Sequence, residues 1–459
     1  VTAPEVGRGR VLIYGLPGLP LAILGVPLYI YLPPYYAEIL GIGAVGALLL
    51  AARLWDVVTD PLIGAIGDRL RSPIGRRKLM ILIGMPLLLV AAHALFRPPD
   101  DANALYLLSW SFLAYLGWTM VALPYTAWGA ELSDNYDRRS LITASREGCI
   151  IAGLLLAIIL PAVLVPAGNP GEALRVLSTM LWVSLPVAVV LALVLVPELR
   201  NRLPEPDWRK SIALLRHNRP FLRLITAYLL NGLANALPAT LFLLYAQHVL
   251  IAENWAGAML IVYFLAGILG MPLFLALARR IGKHRAWTIS MLWASLVFIW
   301  VPFLGEGAIV AFLVVCALAG LSLGVDMALP ASIQADLVDM DTAGGGGRRA
   351  GLFFGLWGMA TKTALALAVG IAFPLLAFAG FDAAATPGEA SGTLVLALLY
   401  GLAPVPFKLI AARLMWNFPI DRSTQGLLRE RIRELEEGMD GDRGAEQPIS
   451  AASSQKTRD

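Results

Sequence analysis

Charge is scarce in this chain. Of 459 residues, 36 are Lys or Arg and 32 are Asp or Glu, 15% in all, where soluble domains carry about 25%. With 58% hydrophobic residues and a mean hydropathy of +0.71, that deficit excludes an ordinary water-soluble globule and points to lipid as the solvent. Cysteine is nearly absent. Cys149 and Cys316 lie in or beside apolar segments far apart in sequence, which argues against a disulfide framework or a cysteine metal knuckle. His93 and His248 are lone histidines in or near the ends of apolar runs and receive no role. No His/Cys/Asp group has the spacing of metal ligands or of a nucleophile–base triad, which weighs against an integral-membrane enzyme. A cleavable signal is also lacking, so the first apolar stretch reads as a retained membrane helix. The pI near 9.1 does not imply nucleic acid, because the basic residues sit in short clusters between apolar runs.

What is present is a series of apolar runs. At roughly 20 residues per span, they predict an all-α membrane protein of about twelve transmembrane helices, centred on 11–38, 42–66, 79–96, 104–130, 141–165, 174–197, 221–248, 254–279, 286–304, 308–335, 350–380 and 391–416. Prolines 17, 20, 27, 33 and 34 should bend the first of them. Basic loops (Arg69, Arg71, Arg76, Arg77 and Lys78; Arg138 and Arg139; 200–219; Arg279 to Arg285; Arg348 and Arg349) alternate with loops that hold Asp100, Asp101, Glu172, Glu253, Glu306, Asp382 and Glu389. The positive-inside rule then places both termini in the cytoplasm and the chain in the inner membrane.

The longest polar interruption, 198–220, divides the chain into an N-terminal bundle, 1–197, and a C-terminal bundle, 221–416, followed by a tail, 417–459. The halves resemble each other. LPYTAWGAELSD from Leu123 matches LPASIQADLVD from Leu329, and Arg146-Glu147-Gly148 matches Arg349-Ala350-Gly351, in the same order at nearly one offset. Duplicated six-span halves are the architecture of carriers whose site lies between the halves near the midplane. In the tail, 423–438 has helical periodicity with mixed charge and reads as a solvated amphipathic helix.

The chemistry concentrates on a few costly residues. Asp56 and Asp60 stand one helical turn apart inside an apolar segment, where ionised carboxylates are expensive. They can supply hard oxygen ligands to a sodium ion or share a proton. Thr59 and Thr119 are placed to add hydroxyls. The bland alternative is that both acids pair with Arg53 and only stabilise the bundle. Lys362 is the one charge between Gly351 and Phe381. Neither helix end is near enough for snorkelling, so it is expected to face Asp56 and Asp60. Gly64, Asp68 and Arg69, followed by Gly75-Arg76-Arg77-Lys78, suggest a close helix approach and an acid aimed at a neighbouring helix N-terminus. This segment resembles the loop between helices two and three of the major facilitator superfamily, where it acts as a cytoplasmic latch. Asp326 has no local cation; it faces the cavity or pairs with a distant arginine. Asn231 and Asn235 share a face and could hydrogen-bond a solute or serve packing. Trp118, Tyr125, Trp128, Phe354 and Trp357 are cavity candidates or packing anchors.

Arg53-x-Trp55-Asp56-x-x-x-Asp60-Pro61-x-x-Gly64, Pro124-Tyr125-x-x-x-Gly129-x-Glu131-Leu132, and Gly351-Leu352-Phe353-Phe354-Gly355 leading to Lys362 together resemble the glycoside–pentoside–hexuronide:cation symporters. These form the melibiose-permease branch of the major facilitators, and the resemblance runs from Tyr14-Gly15 to about Lys408. It implies a major facilitator fold and symport driven by sodium or protons, with no cofactor beyond the coupling ion. Its cation site falls on Asp56, Asp60, Thr59 and Thr119, its charged network on Arg53 and Lys362, and a basic residue near the inner gate on Arg146. Sugar-binding members carry acids where this chain has Ala22 and Ala122. The solute implied is a small organic molecule, a sugar or glycoside first and a lysophospholipid or other amphiphile second. The expected partners are that solute and the bilayer, with the protein a monomer. A non-transporting sensor is the remaining rival and has no need of two buried carboxylates and a lysine.

Overall fold

The structure, a computed structural model, describes residues 7–434 except 27, 29–30, 43–44, 71, 134, 166–168, 199–217, 347–348, 382–390, 423, 429 and 433. Most of the expected linker, Arg71, Arg348, Asp382, Glu389 and the tail beyond 434 lie outside the described residues.

The first apolar run is broken as its prolines dictate. Helix α1 (Arg8–Gly15) stops before Pro17, α2 (Gly18–Val26) follows, and a short turn, Leu32–Pro34, runs into a wider π-type turn, Tyr35–Ile39. Longer helices succeed it: α3 (Val45–Arg69), α4 (Arg76–Phe96), α5 (Ala104–Glu131), α6 (Tyr136–Leu164) and α7 (Pro170–Leu195). The second half holds α8 (Arg219–His248), α9 (Ala256–Ile281), α10 (Lys283–Phe298), α11 (Ile309–Asp341), α12 (Ala350–Phe378), α13 (Thr393–Gly401) and α14 (Pro404–Met415). The last expected span is thus one rod interrupted at Leu402–Ala403, where Pro404 starts a new helix at its first turn.

Among the described residues, ten helical stretches are long and apolar enough to cross a membrane. Two of the twelve expected spans are not among them, each for a reason legible in the residues. The first is split by proline. The second, α3, has 25 residues but carries Arg53, Asp56, Asp60, Asp68 and Arg69. A span that forfeits apolarity at its centre has its polar side chains turned inward, and Asp56, Thr59, Asp60, Gly64 and Asp68 are all buried.

Each half buries its own core. One cluster gathers Tyr14, Tyr36, Leu88, Leu107, Trp128 and Leu185 in the first half; another gathers Leu237, Tyr245, Phe312, Ala368 and Tyr400 in the second. A third joins Ala127, Ala144 and Ile151 of the first half to Phe274, Leu329 and Phe353 of the second.

The likeness of the halves extends to the turns after α3 and α9. Gly75 and Gly282 both have positive φ, +108° and +92°, and both begin the next helix. Only glycine takes that conformation without strain. Basic residues follow each glycine and meet an acid of the repeated segment: Arg76 and Arg77 reach Glu131, and Lys283 reaches Asp336. Glu198 closes the start of α4 by accepting from the Arg77 and Lys78 N–H groups at 2.9 and 3.0 Å. Burial pushes its carboxyl above the usual range, against the pull of those two donors.

In the tail, helix resumes over 424–428, as its periodicity suggests. Gln425 and Ile432 are buried, so this segment rests on the bundle instead of being fully solvated.

Candidate functional site

Helices α3 and α12 run antiparallel in close register, and glycine sets the spacing. A Cβ on Gly64 would stand 2.3 Å from the Gly351 carbonyl oxygen; one on Gly355 would stand 2.9 Å from the Asp60 carbonyl oxygen, and one on Gly358 2.5 Å from Asp60 Oδ2. At Gly64 and Gly355 the two backbones touch, and at Gly358 the Asp60 carboxylate fills the space a side chain would need. We expect Gly64→Val to force α3 from α12 at a cost of about 1–3 kcal/mol, with the loss read as a lower unfolding temperature of the purified protein.

The register brings the charged residues together. Lys362 Nζ lies 2.6 Å from Asp56 Oδ2 and 2.7 Å from Asp60 Oδ2, and it also donates to the Asp56 carbonyl at 3.3 Å. From α5, the Thr119 hydroxyl lies 3.0 Å from Asp56 Oδ1 and 2.9 Å from Asp60 Oδ1. The two carboxylates are therefore clamped between one ammonium and one hydroxyl. The acids are 4% and 5% exposed, whereas the Lys362 side chain keeps 24%, so the site is reached from the lysine's side.

Three details differ from expectation. Thr59 does not reach the carboxylates: its hydroxyl donates to the Asp56 carbonyl at 3.1 Å, one step behind the site. Arg53 lies on the exposed face of α3, and the buried ion pairs of both acids run to Lys362. Arg146 is buried against its neighbour Glu147, at 2.5 Å, and is no part of the Asp56–Asp60–Lys362 cluster.

About two turns beyond Asp60 on α3, Asp68 accepts from the Gly351 and Leu352 N–H groups at 2.9 and 3.0 Å. It thereby caps α12, satisfying donors that a helix start leaves open. Its second partner is not Arg69, which is exposed, but the fully buried Arg77 at 2.7 Å. Arg76 donates to the Asp68 carbonyl at 3.1 Å and pairs with Glu131 at 2.7 Å. A similar cluster joins α6 to α11, where Arg139 meets Asp336 at 3.1 Å and Asp339 at 2.5 Å, and Lys283 meets Asp336 at 2.5 Å. Ser140 and Ser332 face each other at 3.2 Å beside it. Both clusters lie on the side of the basic loops, and there the halves are closed on each other. The sequence signal for the second cluster was an acid in each repeated segment, Glu131 and Asp336, one residue out of step when the segments are set from Leu123 and Leu329.

The expected cavity residues divide. Tyr125 and Trp128 are packing groups. The Tyr125 hydroxyl donates to the Tyr14 carbonyl at 2.6 Å, Tyr14 returns a bond to the Tyr125 carbonyl at 2.8 Å, and the Trp128 indole N–H donates to the Pro197 carbonyl at 3.0 Å. They hold α1 and the end of α7 against α5 and are not open to a solute. Asp326 pairs with Lys408, at 3.4 Å, and not with an arginine. It also accepts from Asn231 at 2.9 Å, Asn235 at 2.7 Å and the Trp287 indole at 2.6 Å. This network ties α8, α10, α11 and α14 together, and of its members Asn235 alone is exposed. Trp357 stacks on Tyr228 with centroids 3.5 Å apart, and the Tyr228 hydroxyl meets Thr361, next to Lys362, at 2.9 Å. Ala22 is buried and packs where α2 crosses Gly153 of α6.

A bundle of two helical halves, with charged residues buried at the contact between them, makes this a multi-pass membrane protein, and its family and relatives are transporters, not enzymes. The chain belongs to the MFS/sugar transport protein family, whose pattern it matches over residues 13–422. It is 25% identical to an uncharacterized symporter of Synechocystis sp., covering 92% of this chain and 96% of that one. It is 24% identical to the glucuronide carrier protein homolog of Escherichia coli, over 89% and 91%, and 23% identical to the human sodium-dependent lysophosphatidylcholine symporter 1, over 92% and 88%. Among solved structures, the fold resembles a bacterial homologue of the iron transporter ferroportin (TM-score 0.66, 16% identity, 89% of this chain and 99% of that one). It also resembles the E. coli fucose:proton symporter (TM-score 0.63, 14%, 88% and 98%). The expected major facilitator fold is borne out.

Proposed function

We propose that the protein is a secondary active symporter that couples a sodium or proton gradient to uptake of a small organic solute by alternating access, with Asp56, Asp60 and Thr119 as the cation site. One observation carries the reading: the four carboxylate oxygens of Asp56 and Asp60 share one ammonium and one hydroxyl. An ionised carboxylate pair has about eight lone-pair sites, so the clamp is under-satisfied. Thr119 has a single proton for two carboxylate oxygens. Two negative charges against one positive leave the site one charge short, which one monovalent cation supplies. Lys362 Nζ, held by three oxygens, occupies the place such a cation would take and serves as its tethered competitor.

Bound cation displaces the lysine, and the freed ammonium alters α12 around Trp357 and Thr361, where solute enters. Linkage requires that cation and solute raise each other's affinity by the same factor. Asp68 with Arg77, and Arg139 with Asp336 and Asp339, latch the cytoplasmic side in the state seen here. The basic loops set that side, and with it the inner-membrane location, by the positive-inside rule.

The solute is a sugar or glycoside, or an amphiphile such as a lysophospholipid. One observation favours the amphiphile: Ala22 and Ala122 stand where sugar-binding members carry acids, so the charge-assisted hydrogen bonds of a carboxylate to sugar hydroxyls are missing. Counterflow in proteoliposomes with a radiolabelled glucuronide and a radiolabelled lysophosphatidylcholine, each with and without sodium, decides between them. The expected result is sodium- or pH-dependent exchange of one class. Exchange of neither, with no response to either cation, contradicts the proposal.

A further inference from the structure

A second feature lies outside the cation site, on the flank of the bundle at the basic-loop side. Helices α1, α6 and α9 enclose a groove of about 500 Å3, within the range of about 300–1,000 Å3 typical of ligand pockets. Its walls are apolar: Val11, Leu12 and Leu141 from the first half, and Ile268, Met271 and Leu275 from the second. Leu265, Leu269 and Leu273, one turn apart on α9, are exposed beside it, as is Leu12 at its edge. In a membrane-spanning chain those leucines face lipid, so the groove opens sideways to the bilayer.

At its end the groove changes character. Arg8, Leu141 and Arg279 also line an adjoining pocket of about 240 Å3, completed by Asn135, Asp137 and Arg138. Three guanidinium-bearing residues thus surround one carboxylate, and that carboxylate is engaged: Arg422 holds Asp137 at 2.6 Å. Among the described residues, neither Arg8 nor Arg279 is paired with a carboxylate. The composite is an apolar trough leading to a polar chamber of net positive charge, at the depth where apolar spans give way to basic loops.

We infer that this composite pocket holds one anionic phospholipid of the leaflet on the basic-loop side. Its phosphate is bound by Arg8 and Arg279, and one acyl chain lies along Val11, Leu12, Ile268, Met271 and Leu275. Arginine suits the phosphate because its planar fork pairs with two oxygens at once, and the trough suits the chain because both are apolar. Net positive charge selects an anionic headgroup over a zwitterionic one. Because the trough takes one wall from each half, the lipid bridges them next to the Arg139–Asp336 cluster. It binds best when that side is closed and favours this conformation by its differential affinity. The inference does not depend on cation coupling.

The test uses the full chain purified in detergent, with phosphatidylglycerol added and retained lipid read by native mass spectrometry alongside the unfolding temperature. The expected result is that wild type retains one phosphatidylglycerol and is thermally stabilised by it, while the Arg8→Ala/Arg279→Ala double variant retains about tenfold less or lower still. Ala276→Trp, at an exposed position in the trough, fills the chain site with both arginines intact and is expected to lower retention as well. Retention unchanged in both variants overturns the inference. So does equal retention of phosphatidylcholine, which would make the groove a generic lipid contact, or equal stabilisation by glycerol 1-phosphate, which would make the chamber a site for a free phosphate.

Discussion

Replacing Asp60 with asparagine is expected to lower cation-driven uptake by on the order of 100-fold, the upper part of the range that coupling free energies span, while leaving the folded protein nearly as stable as wild type. The two effects separate because of the charge count at the site. In wild type, Lys362 sits 2.6 and 2.7 Å from two carboxylates, and one negative charge is left over. Asp60→Asn leaves Lys362 paired with Asp56 alone. The pair is neutral and satisfied, so folding loses little, but nothing remains to attract a cation. Asp56→Asn should act alike. Lys362→Ala should do the opposite: two carboxylates a few ångströms apart repel by up to about 4 kcal/mol at an effective dielectric near 20, and a bound cation or proton relieves that. Cation affinity is then expected to rise and exchange to slow, because the competitor is gone. Uptake measured in proteoliposomes under an imposed gradient checks all three. A Lys362→Ala carrier with unchanged affinity and stoichiometry would remove the lysine from the mechanism.

The second large effect is expected at Asp68. This carboxylate accepts two backbone N–H groups at the start of α12 and pairs with the fully buried Arg77. Asp68→Ala leaves the helix start uncapped and Arg77 with Glu131 alone. Breaking a buried ion pair costs about 3–5 kcal/mol, and here the cost falls on one conformation, the one in which α3 and α12 touch. The population should shift toward a state open on the basic-loop side by about 100-fold or more, since each 1.4 kcal/mol is tenfold. Ser140 and Ser332 report the change, because they meet across the halves at 3.2 Å. With Cys149 and Cys316 replaced by serine, a cysteine placed at position 140 should be protected from a polar thiol reagent in the Asp68 protein and labelled rapidly in Asp68→Ala. Equal labelling rates would mean that Asp68 does not hold the halves together.

The sequence carried the costly features and left out the partners. Asp56, Asp60, Lys362 and Asp68 were legible because charge in an apolar run demands compensation; the structure joins Lys362 to Asp56 and Asp60 and sets Asp68 on the start of α12, as expected. What failed was the choice among nearby residues of one type. Arg69 and Arg77 read alike in a basic loop, yet only Arg77 turns inward, a matter of helix phase after the positive-φ turn at Gly75. Thr59 adjoins the acids in sequence but bonds back to its own helix, as a hydroxyl in a helix interior readily does. Asp326 had no cation within its own segment, and Lys408, which partners it, lies at the far end of the chain, 82 residues on. Aromatic residues gave the least: Trp128 and Trp357 look equivalent in sequence, but one is locked against Pro197 and the other stacks on Tyr228 beside the lysine. The glycines at 355 and 358 carry no periodic signal, yet they set the distance at which Asp60 meets α12.

In the proposed mechanism Asp56 and Asp60 bind the coupling cation in competition with Lys362. Its most direct test is the unfolding temperature of the purified protein titrated with sodium at constant ionic strength, against potassium as control and at two values of pH, for wild type and Asp60→Asn. A cation site at Asp56 and Asp60 gives a saturable rise in wild type with sodium or with falling pH, and no such rise in Asp60→Asn. An identical response in both proteins, or none in wild type to either cation, would contradict it.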